Sequence, residues 1–175
     1  DQMTVDEVAA DAGMAKASLY KHFTSKEELA GAAMVRALRE AIEFVDTLRE
    51  PGAPAGASAL ERLRAVACWA MRRQLEGRMP SLPSQNSSLT GSLRDNALYV
   101  DLLLELSNQL GTWITQAQTC GQINAEVPAE LVLYTIFARA CDPVVGMLKA
   151  SGHYADEQIV QWVCATTFDG LRPRA

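Results

Sequence analysis

The chain has 175 residues, of which 49% are hydrophobic and 21% charged, and its formal net charge is -5. This length fits one compact domain or a small module joined to a larger one, and the apolar fraction is too high for a disordered protein. The composition excludes collagen and disulfide-rich miniproteins. We expect neither a signal peptide nor a membrane span, because the opening residues are not apolar and the long apolar runs contain charged or polar breaks.

The predicted elements are all helical. Capping-box patterns at Thr4–Glu7, Ser25–Glu28 and Ser58–Glu61 each indicate a helix start, and glycines at 13 and 121 indicate helix ends. Strand-like alternation and hairpin turns are nearly absent. We predict helices over about 5–12, 15–23, 26–48, 59–76, 93–120, 129–150 and 156–171. The fold class is therefore all-α.

A small-residue linker at 51–57, PGAPAGA, predicts the domain boundary. It separates an N-terminal unit, 1–50, from a larger unit, 51–175. Within the second unit, the Gly-, Pro-, Ser- and Asn-rich stretch 77–92 predicts a mobile loop with at most one short helical turn.

The four cysteines are far apart in sequence and form no C-x-x-C pair, which argues against metal ribbons and thioredoxin-like motifs. Each one falls in an apolar helical stretch, where a free cysteine behaves as a small hydrophobe. We expect reduced core cysteines and a cytoplasmic protein, with disulfides and redox sensing as the alternatives.

The first two predicted helices have the layout of a helix-turn-helix, with Gly13 in the turn. The window 13–26 contains three lysines and a histidine and no acidic residue, although the chain as a whole is acidic. With Leu19 and Phe23 facing inward, a helical wheel places hydrogen-bonding and cationic side chains on the outer arc. Reading base edges and gripping phosphates requires such groups.

These residues carry a family resemblance. The segment MTVDEVAADAGMAKASLYKHFTSKEELAGAA resembles the DNA-binding signature of TetR/AcrR-type transcriptional regulators, above all in L-Y-x-H-F followed by S-K-E-x-L. It covers roughly the first 33 residues, and the rest of the chain matches the family only in architecture. The resemblance implies an N-terminal helix-turn-helix DNA-binding domain with a connecting helix, followed by a helical-bundle domain for ligand binding and dimerisation.

The resemblance also implies roles for individual residues. Thr4 would cap a helix and touch a phosphate, Lys26 would meet a phosphate, and Tyr20 and His22 would contact the sugar-phosphate backbone. The predicted DNA-binding set is Thr4, Lys16, Ala17, Ser18, Tyr20, Lys21, His22 and Lys26. The alternatives are that Tyr20 packs on the next helix, that His22 is a boundary histidine, and that Lys21 is a solvated charge.

The segment departs from the family pattern at two points. Ala15 stands where the family often has a capping Ser or Thr, a loss of about 1 kcal/mol. The chain also begins at the family's second helix, so we expect that the native protein has residues before Asp1 that supply the first.

In the larger unit, the predicted helix 129–150 is apolar on most sides, so we expect it to be buried on two faces. Paired with the last helix, it could form a two-fold four-helix interface between two subunits, which would place two recognition helices on a palindromic operator. The alternative is a monomer in which this helix is internal.

An effector site is predicted between the bundle helices. Trp69, Tyr99, Trp113 and Phe137 are the candidate lining residues, and Met71 is a further one. Apolar side chains at helical spacing are more often plain core, which is the alternative for each of them. Polar residues within apolar helices could orient a ligand if they point inward, namely Asn108, Gln109, Gln116 and Arg139.

The sequence contains no common catalytic or nucleotide-binding motif, and with only two histidines we expect no enzyme, no metal site and no cofactor. We therefore predict a cytoplasmic, homodimeric transcriptional regulator, most simply a repressor that a small-molecule effector releases from DNA. The alternative is a helical adaptor that binds a ligand or a protein and has no DNA-binding activity.

Overall fold

The computed structural model describes Ser18 and residues 22–50, 58–80 and 88–173. In these ranges the chain forms seven α-helices and one 3₁₀ segment, with no strand, which confirms the all-α class. The helices are α1 (Lys26–Thr47), α2 (Ala59–Leu75), α3 (Ser88–Asp95), α4 (Ala97–Thr119), α5 (Ala129–Phe137), α6 (Pro143–Ser151) and α7 (Asp156–Asp169), and the 3₁₀ segment, Ala138–Cys141, lies between α5 and α6.

The serine caps predicted for α1 and α2 are both present. Ser58 and Glu61 form a complete capping box, in which the Ser58 Oγ accepts from the Glu61 N–H at 3.2 Å and the Glu61 carboxylate accepts from the Ser58 N–H at 2.6 Å. Ser25 forms only half of its box. Its Oγ accepts from the Glu28 N–H at 3.0 Å, whereas the Glu28 carboxylate accepts from the backbone and hydroxyl of Thr24.

The predicted continuous helix 93–120 is wrong, because two helices occupy this region. Asn96 lies between α3 and α4 and caps α4, accepting from the Tyr99 N–H at 3.0 Å through its side chain. An Asn side chain competes well for such an N–H, and this favours a new start over an unbroken helix. The second half of the predicted loop 77–92 is also partly helical, since α3 begins at Ser88.

The predicted continuous helix 129–150 is wrong for a similar reason. Asp142 has an extended backbone and its carboxylate accepts from the Val144 N–H at 2.9 Å, so it is the N-cap of α6. Pro143 is the first residue of α6, where its missing N–H has no cost, but the same residue cannot continue a helix from α5.

The break at Asp142 is fixed by neighbours on two other helices. The Asp142 carboxylate is buried and pairs with the Arg139 guanidinium at 2.6 Å. The Gln74 amide of α2 makes two bonds to the Asp142 backbone, donating to its carbonyl at 2.8 Å and accepting from its N–H at 3.1 Å. Arg139 also lies 3.4 Å from the Thr167 hydroxyl of α7. Arg139 therefore stabilises the helix break through these contacts, and its guanidinium is not free to orient a ligand as predicted.

Helix α2 is the centre of the bundle. It packs against α1, α4, α5, the 3₁₀ segment, α6 and α7. The C-terminal half of α1 also contributes to the core, so this helix is joined to the bundle rather than separate from it. The largest fully buried side chains are Val45, Leu63, Met71, Leu110, Ile114, Ile123, Val132, Ile136, Val145, Ile159, Val160 and Phe168.

Candidate functional site

The start of α1 is the part of the predicted DNA-binding set that the structure describes best. Lys26 is the first residue of the helix and is exposed, and His22 is exposed in the preceding turn. Backbone N–H groups at a helix N-terminus and a lysine ammonium both favour an anion. Lys26 therefore lies where the predicted phosphate contact requires it, exposed at a helix N-terminus.

The two acidic side chains in the first turn of α1 have partners of their own. Glu27 accepts from the Ser88 hydroxyl of α3 at 2.8 Å, and this bond lowers the pKa of the Glu27 carboxyl. Glu28 accepts from Thr24, and that bond lowers its pKa as well. Both carboxylates are therefore engaged in fixing the start of the helix.

Of the other predicted DNA-binding residues, only Ser18 is described. It is helical and half-buried, in agreement with a second short helix at this point. The remaining members, Thr4, Lys16, Ala17, Tyr20 and Lys21, lie outside the described residues.

The four predicted effector-site aromatics lie on α2, α4 and α5. Trp113 is 5% exposed and belongs to the core, whereas Trp69, Tyr99 and Phe137 are half-buried. Burial raises the pKa of the Tyr99 hydroxyl. Trp69 is the most constrained of them, because its ring stacks on Phe44 of α1 at 5.3 Å between centroids. Its first role is therefore to join α2 to α1.

Arg62 and Gln109 each have a buried polar atom without a hydrogen-bond partner in the described part of the chain, and no sequence pattern groups these two residues. Arg62 of α2 places its guanidinium 5.6 Å from the centre of the Trp113 ring. The Arg62 Nε and the Oε1 of Gln109, one turn before Trp113 on α4, are both buried and have no hydrogen-bond partner among the described residues. Gln109 is an inward-facing polar residue of the kind that the sequence predicted, while Asn108 and Gln116 are exposed. Arg62 itself could not be singled out, since arginines are ordinary on a helix surface.

Large apolar side chains are exposed on α5, α6 and α7 and in the loop between α6 and α7. The set comprises Leu131, Tyr134, Val144, Met147, Tyr154 and Trp162, each between 42% and 71% exposed. Leu131 and Tyr134 lie one turn apart on α5, and Val144 and Met147 one turn apart on α6. Large apolar side chains grouped in this way usually mark an interaction surface. We call this set the apolar surface.

Part of the same region has the length and apolar composition of a membrane-spanning helix. Among the described residues, the segment Ala129–Ser151 is long and apolar enough to cross a membrane, and 22% of its most apolar window is buried. The segment is not one straight helix, because the 3₁₀ turn and the Asp142 cap interrupt it. It also contains the ion pair between Arg139 and Asp142, which hydrocarbon would disfavour.

The cysteines and the remaining acidic residues show no metal site in the described ranges, where no three His, Cys, Asp or Glu side chains group together. Cys164 is buried, Cys68 and Cys141 are half-buried, and Cys120 is exposed. The predicted core position is therefore wrong for Cys120, which caps the end of α4.

Comparison with known proteins supports the resemblance that the motif carries. Residues 1–33 match the family model of bacterial regulatory proteins, tetR family. A search of curated protein sequences finds no significant match to the chain.

The fold is shared with solved structures of regulators over almost the entire chain. A fatty acid degradation regulator FadR from Bacillus halodurans is 21% identical, with a TM-score of 0.65, and the match covers 99% of this chain and 88% of that one. The regulator FadR from Bacillus subtilis in complex with stearoyl-CoA is 18% identical, with a TM-score of 0.65 and coverages of 98% and 90%. A TetR-family member from Streptomyces coelicolor A3 is 23% identical, with a TM-score of 0.57 and coverages of 97% and 83%.

Proposed function

We propose that this chain is a TetR-family transcriptional regulator, which binds an operator as a homodimer and is released from it by a small-molecule effector. The observation that carries the proposal is the family match over residues 1–33, which contains the L-Y-x-H-F motif. The exposed Lys26 at the start of α1 and the shared fold support it. We place the DNA-binding unit at 1–50 and the effector and dimerisation unit at 51–175.

DNA binding is tested with the full gene product and DNA from its own upstream region, titrated at several salt concentrations. Removing one phosphate contact lowers the slope of log affinity against log salt by about 0.9. Lys26→Ala should therefore weaken binding and reduce the slope by about 2 for a dimer. Lys149→Ala is the matched control, because Lys149 lies on α6 and pairs with Asp156 at 2.6 Å. If the wild-type protein binds no better to its upstream DNA than to random DNA at any salt, the adaptor alternative is favoured.

We propose that the apolar surface is where two copies meet. A second copy is the occupant that fits a DNA-binding protein of this kind, because a two-fold dimer presents two recognition helices to two half-sites. Leu131→Asp should shift sedimentation equilibrium toward the monomer. Leu104→Asp is the control, since Leu104 on α4 is 56% exposed, close to the 54% of Leu131, but lies outside the apolar surface. Equal dissociation by both variants would exclude this surface as the interface, and binding of the wild-type protein to lipid vesicles would point to a membrane instead.

We propose that the effector is amphipathic, with an apolar part among Trp69, Tyr99, Trp113 and Phe137 and an anionic group near Arg62. The Nε of Arg62, buried and without a partner among the described residues, supports a polar anchor beside Trp113, because its N–H is free to donate to an anionic group. Stearoyl-CoA, stearate and coenzyme A are suitable probes, because a neighbour in fold binds stearoyl-CoA. A ligand at 100 times its Kd stabilises the fold by about 2.7 kcal/mol, which raises Tm by roughly 5–10 °C.

The arginine variant makes the effector test specific. Arg62→Gln should reduce the Tm shift with stearoyl-CoA, while Arg49→Gln, at an exposed position just after the end of α1, should leave it unchanged. A shift of the same size in the wild-type protein and Arg62→Gln would remove Arg62 from the site.

A further inference from the structure

Two ion pairs between α2 and α7 show the relative direction of these helices. Arg64 pairs with Asp169 at 3.6 Å, and Arg72 makes a two-pronged contact with Glu157 at 2.8 and 3.0 Å. The residue order is reversed between the two helices, so they are antiparallel. The ion pairs lie at the two ends of their contact.

A pair of cysteines lies between these ion pairs. Cys68 is four residues after Arg64 and four before Arg72, so all three lie on one face of α2. Cys164 lies on α7 between Glu157 and Asp169. Cys164 belongs to the buried core and Cys68 packs against that core. Each thiol shifts the pKa of the other, so the two side chains are neighbours across the helix pair.

The surroundings of Cys164 favour its thiolate. The hydrogen bond from Cys68, aided by the guanidinium groups of Arg64 and Arg72, lowers the pKa of Cys164 to about 7 against the opposing effect of burial. The same shared hydrogen bond raises the pKa of Cys68, which remains a thiol. The lowered pKa raises the fraction of Cys164 that is present as thiolate, the form that reacts with oxidants, beside a neighbouring thiol.

The other two cysteines differ from this pair. Burial and the nearby Asp142 carboxylate raise the pKa of Cys141, which disfavours its thiolate. Cys120 is exposed at the end of α4. These two serve as internal controls.

We propose that Cys68 and Cys164 form an oxidant-sensitive dithiol, which hydroperoxides convert into a disulfide that joins α2 to α7. The Cys164 thiolate attacks the hydroperoxide, so a sulfur–oxygen bond forms, the oxygen–oxygen bond breaks and an alcohol leaves. The Cys68 sulfur then attacks the resulting sulfenic acid, so the sulfur–sulfur bond forms and water leaves. Two thiols and one hydroperoxide thus give one disulfide, one alcohol and one water.

The crosslink would join two functionally different parts of the bundle. Helix α2 is the central helix and carries Arg62 and Trp69, while α7 carries Trp162 of the apolar surface. Trp162 is two residues from Cys164 and therefore points to the opposite side of α7. Oxidation would fix the distance between these parts without blocking either one. The proposal does not depend on DNA binding.

The test is a peptide map of the full-length protein after treatment with hydrogen peroxide. Trypsin places each cysteine on its own peptide, with Cys68 in 65–72, Cys120 in 95–139, Cys141 in 140–149 and Cys164 in 150–174. We expect a crosslinked peptide of 65–72 with 150–174, about 2 Da lighter than the sum of the two, which dithiothreitol separates.

Variants distinguish the pair from general oxidation. Cys120→Ser should leave the crosslink unchanged, whereas Cys68→Ser should abolish it and leave Cys164 as a sulfenic acid that dimedone labels. If Cys68→Ser fails to fold, the presence or absence of the crosslinked peptide in the wild-type map tests the proposal by itself. Oxidised protein in which 65–72 and 150–174 stay separate, or in which the crosslinks run through Cys120, would overturn the proposal.

Discussion

Replacing Asp142 should destabilise the protein in two separable steps. Asp142→Ala removes both the cap that accepts from the Val144 N–H and the carboxylate that pairs with Arg139. Asp142→Asn keeps an oxygen for the cap and loses only the charge. Both variants leave the backbone bonds to Gln74 in place.

The burial of the two partners sets the size of each step. Losing an N-cap costs about 1 kcal/mol. Breaking a fully buried ion pair costs about 3–5 kcal/mol, but the Arg139 side chain is 22% exposed and can recover part of its hydration. We therefore expect losses of about 1–2 kcal/mol for Asp142→Asn and about 2–3 kcal/mol for Asp142→Ala.

Thermal unfolding followed by circular dichroism measures both losses. For a chain of this size, 1 kcal/mol corresponds to about 2–4 °C, so Asp142→Ala should lower Tm by roughly 5–10 °C and Asp142→Asn by about half as much. Arg139→Ala combined with Asp142→Ala completes a double-mutant cycle that isolates the charge pair. Equal Tm values for the two single variants, or no measurable fall below the wild type in either, would contradict these roles of Asp142.

Further predictions concern single contacts elsewhere. Gln74→Leu leaves the Asp142 N–H without its partner, and we expect urea denaturation to show a loss of about 1–2 kcal/mol. Gly152 has φ +70°, so Gly152→Ala should destabilise by about 1 kcal/mol, whereas Gly111→Ala, inside α4 with open space around its Cβ, should raise Tm. The Arg72 guanidinium lowers the pKa of the Glu157 carboxyl below its usual 4.5, so the stabilisation is present above that pH and is lost on acidification through the lowered pKa. Tm measured from pH 7 to pH 3 should therefore fall less steeply in Glu157→Gln than in the wild type.

The helix starts that the sequence predicted correctly depend on local chemistry. Ser25 and Ser58 each satisfy an N–H three residues later, an interaction contained within four residues of chain. The breaks at Asn96 and at Asp142 with Pro143 were missed because long apolar stripes continue through them. The Asp-Pro pair is nevertheless a cap followed by a first-turn proline, a local signal that outweighs periodicity.

The candidate site depends more on packing between distant segments. Hydrophobicity made Trp69 and Trp113 equal candidates for an effector site. In the structure, Trp69 stacks on Phe44, whereas Trp113 is buried in the core. The roles of Arg62 and Arg139 follow from partners that the sequence does not reveal, namely Trp113 for one and Asp142 for the other. The position of the apolar surface within 129–150 and the last helix was predicted, but its individual residues were not. The prediction was possible because a helix apolar on most sides has more hydrophobic area than one bundle can cover.

Because α1 is long, a small rotation at one end of the helix displaces the other end by several ångströms. Its 22 residues form a rod about 33 Å long, anchored in the core through Ala41, Ile42 and Val45. Val45 lies about 28 Å along the helix from Lys26, so pivoting the rod by about 10° about Val45 carries Lys26 sideways by about 5 Å. This is more than the rise of about 3.4 Å between successive base pairs. A small movement of the helices that hold α1 would thus displace Lys26 by more than the axial rise between successive phosphates on a DNA strand.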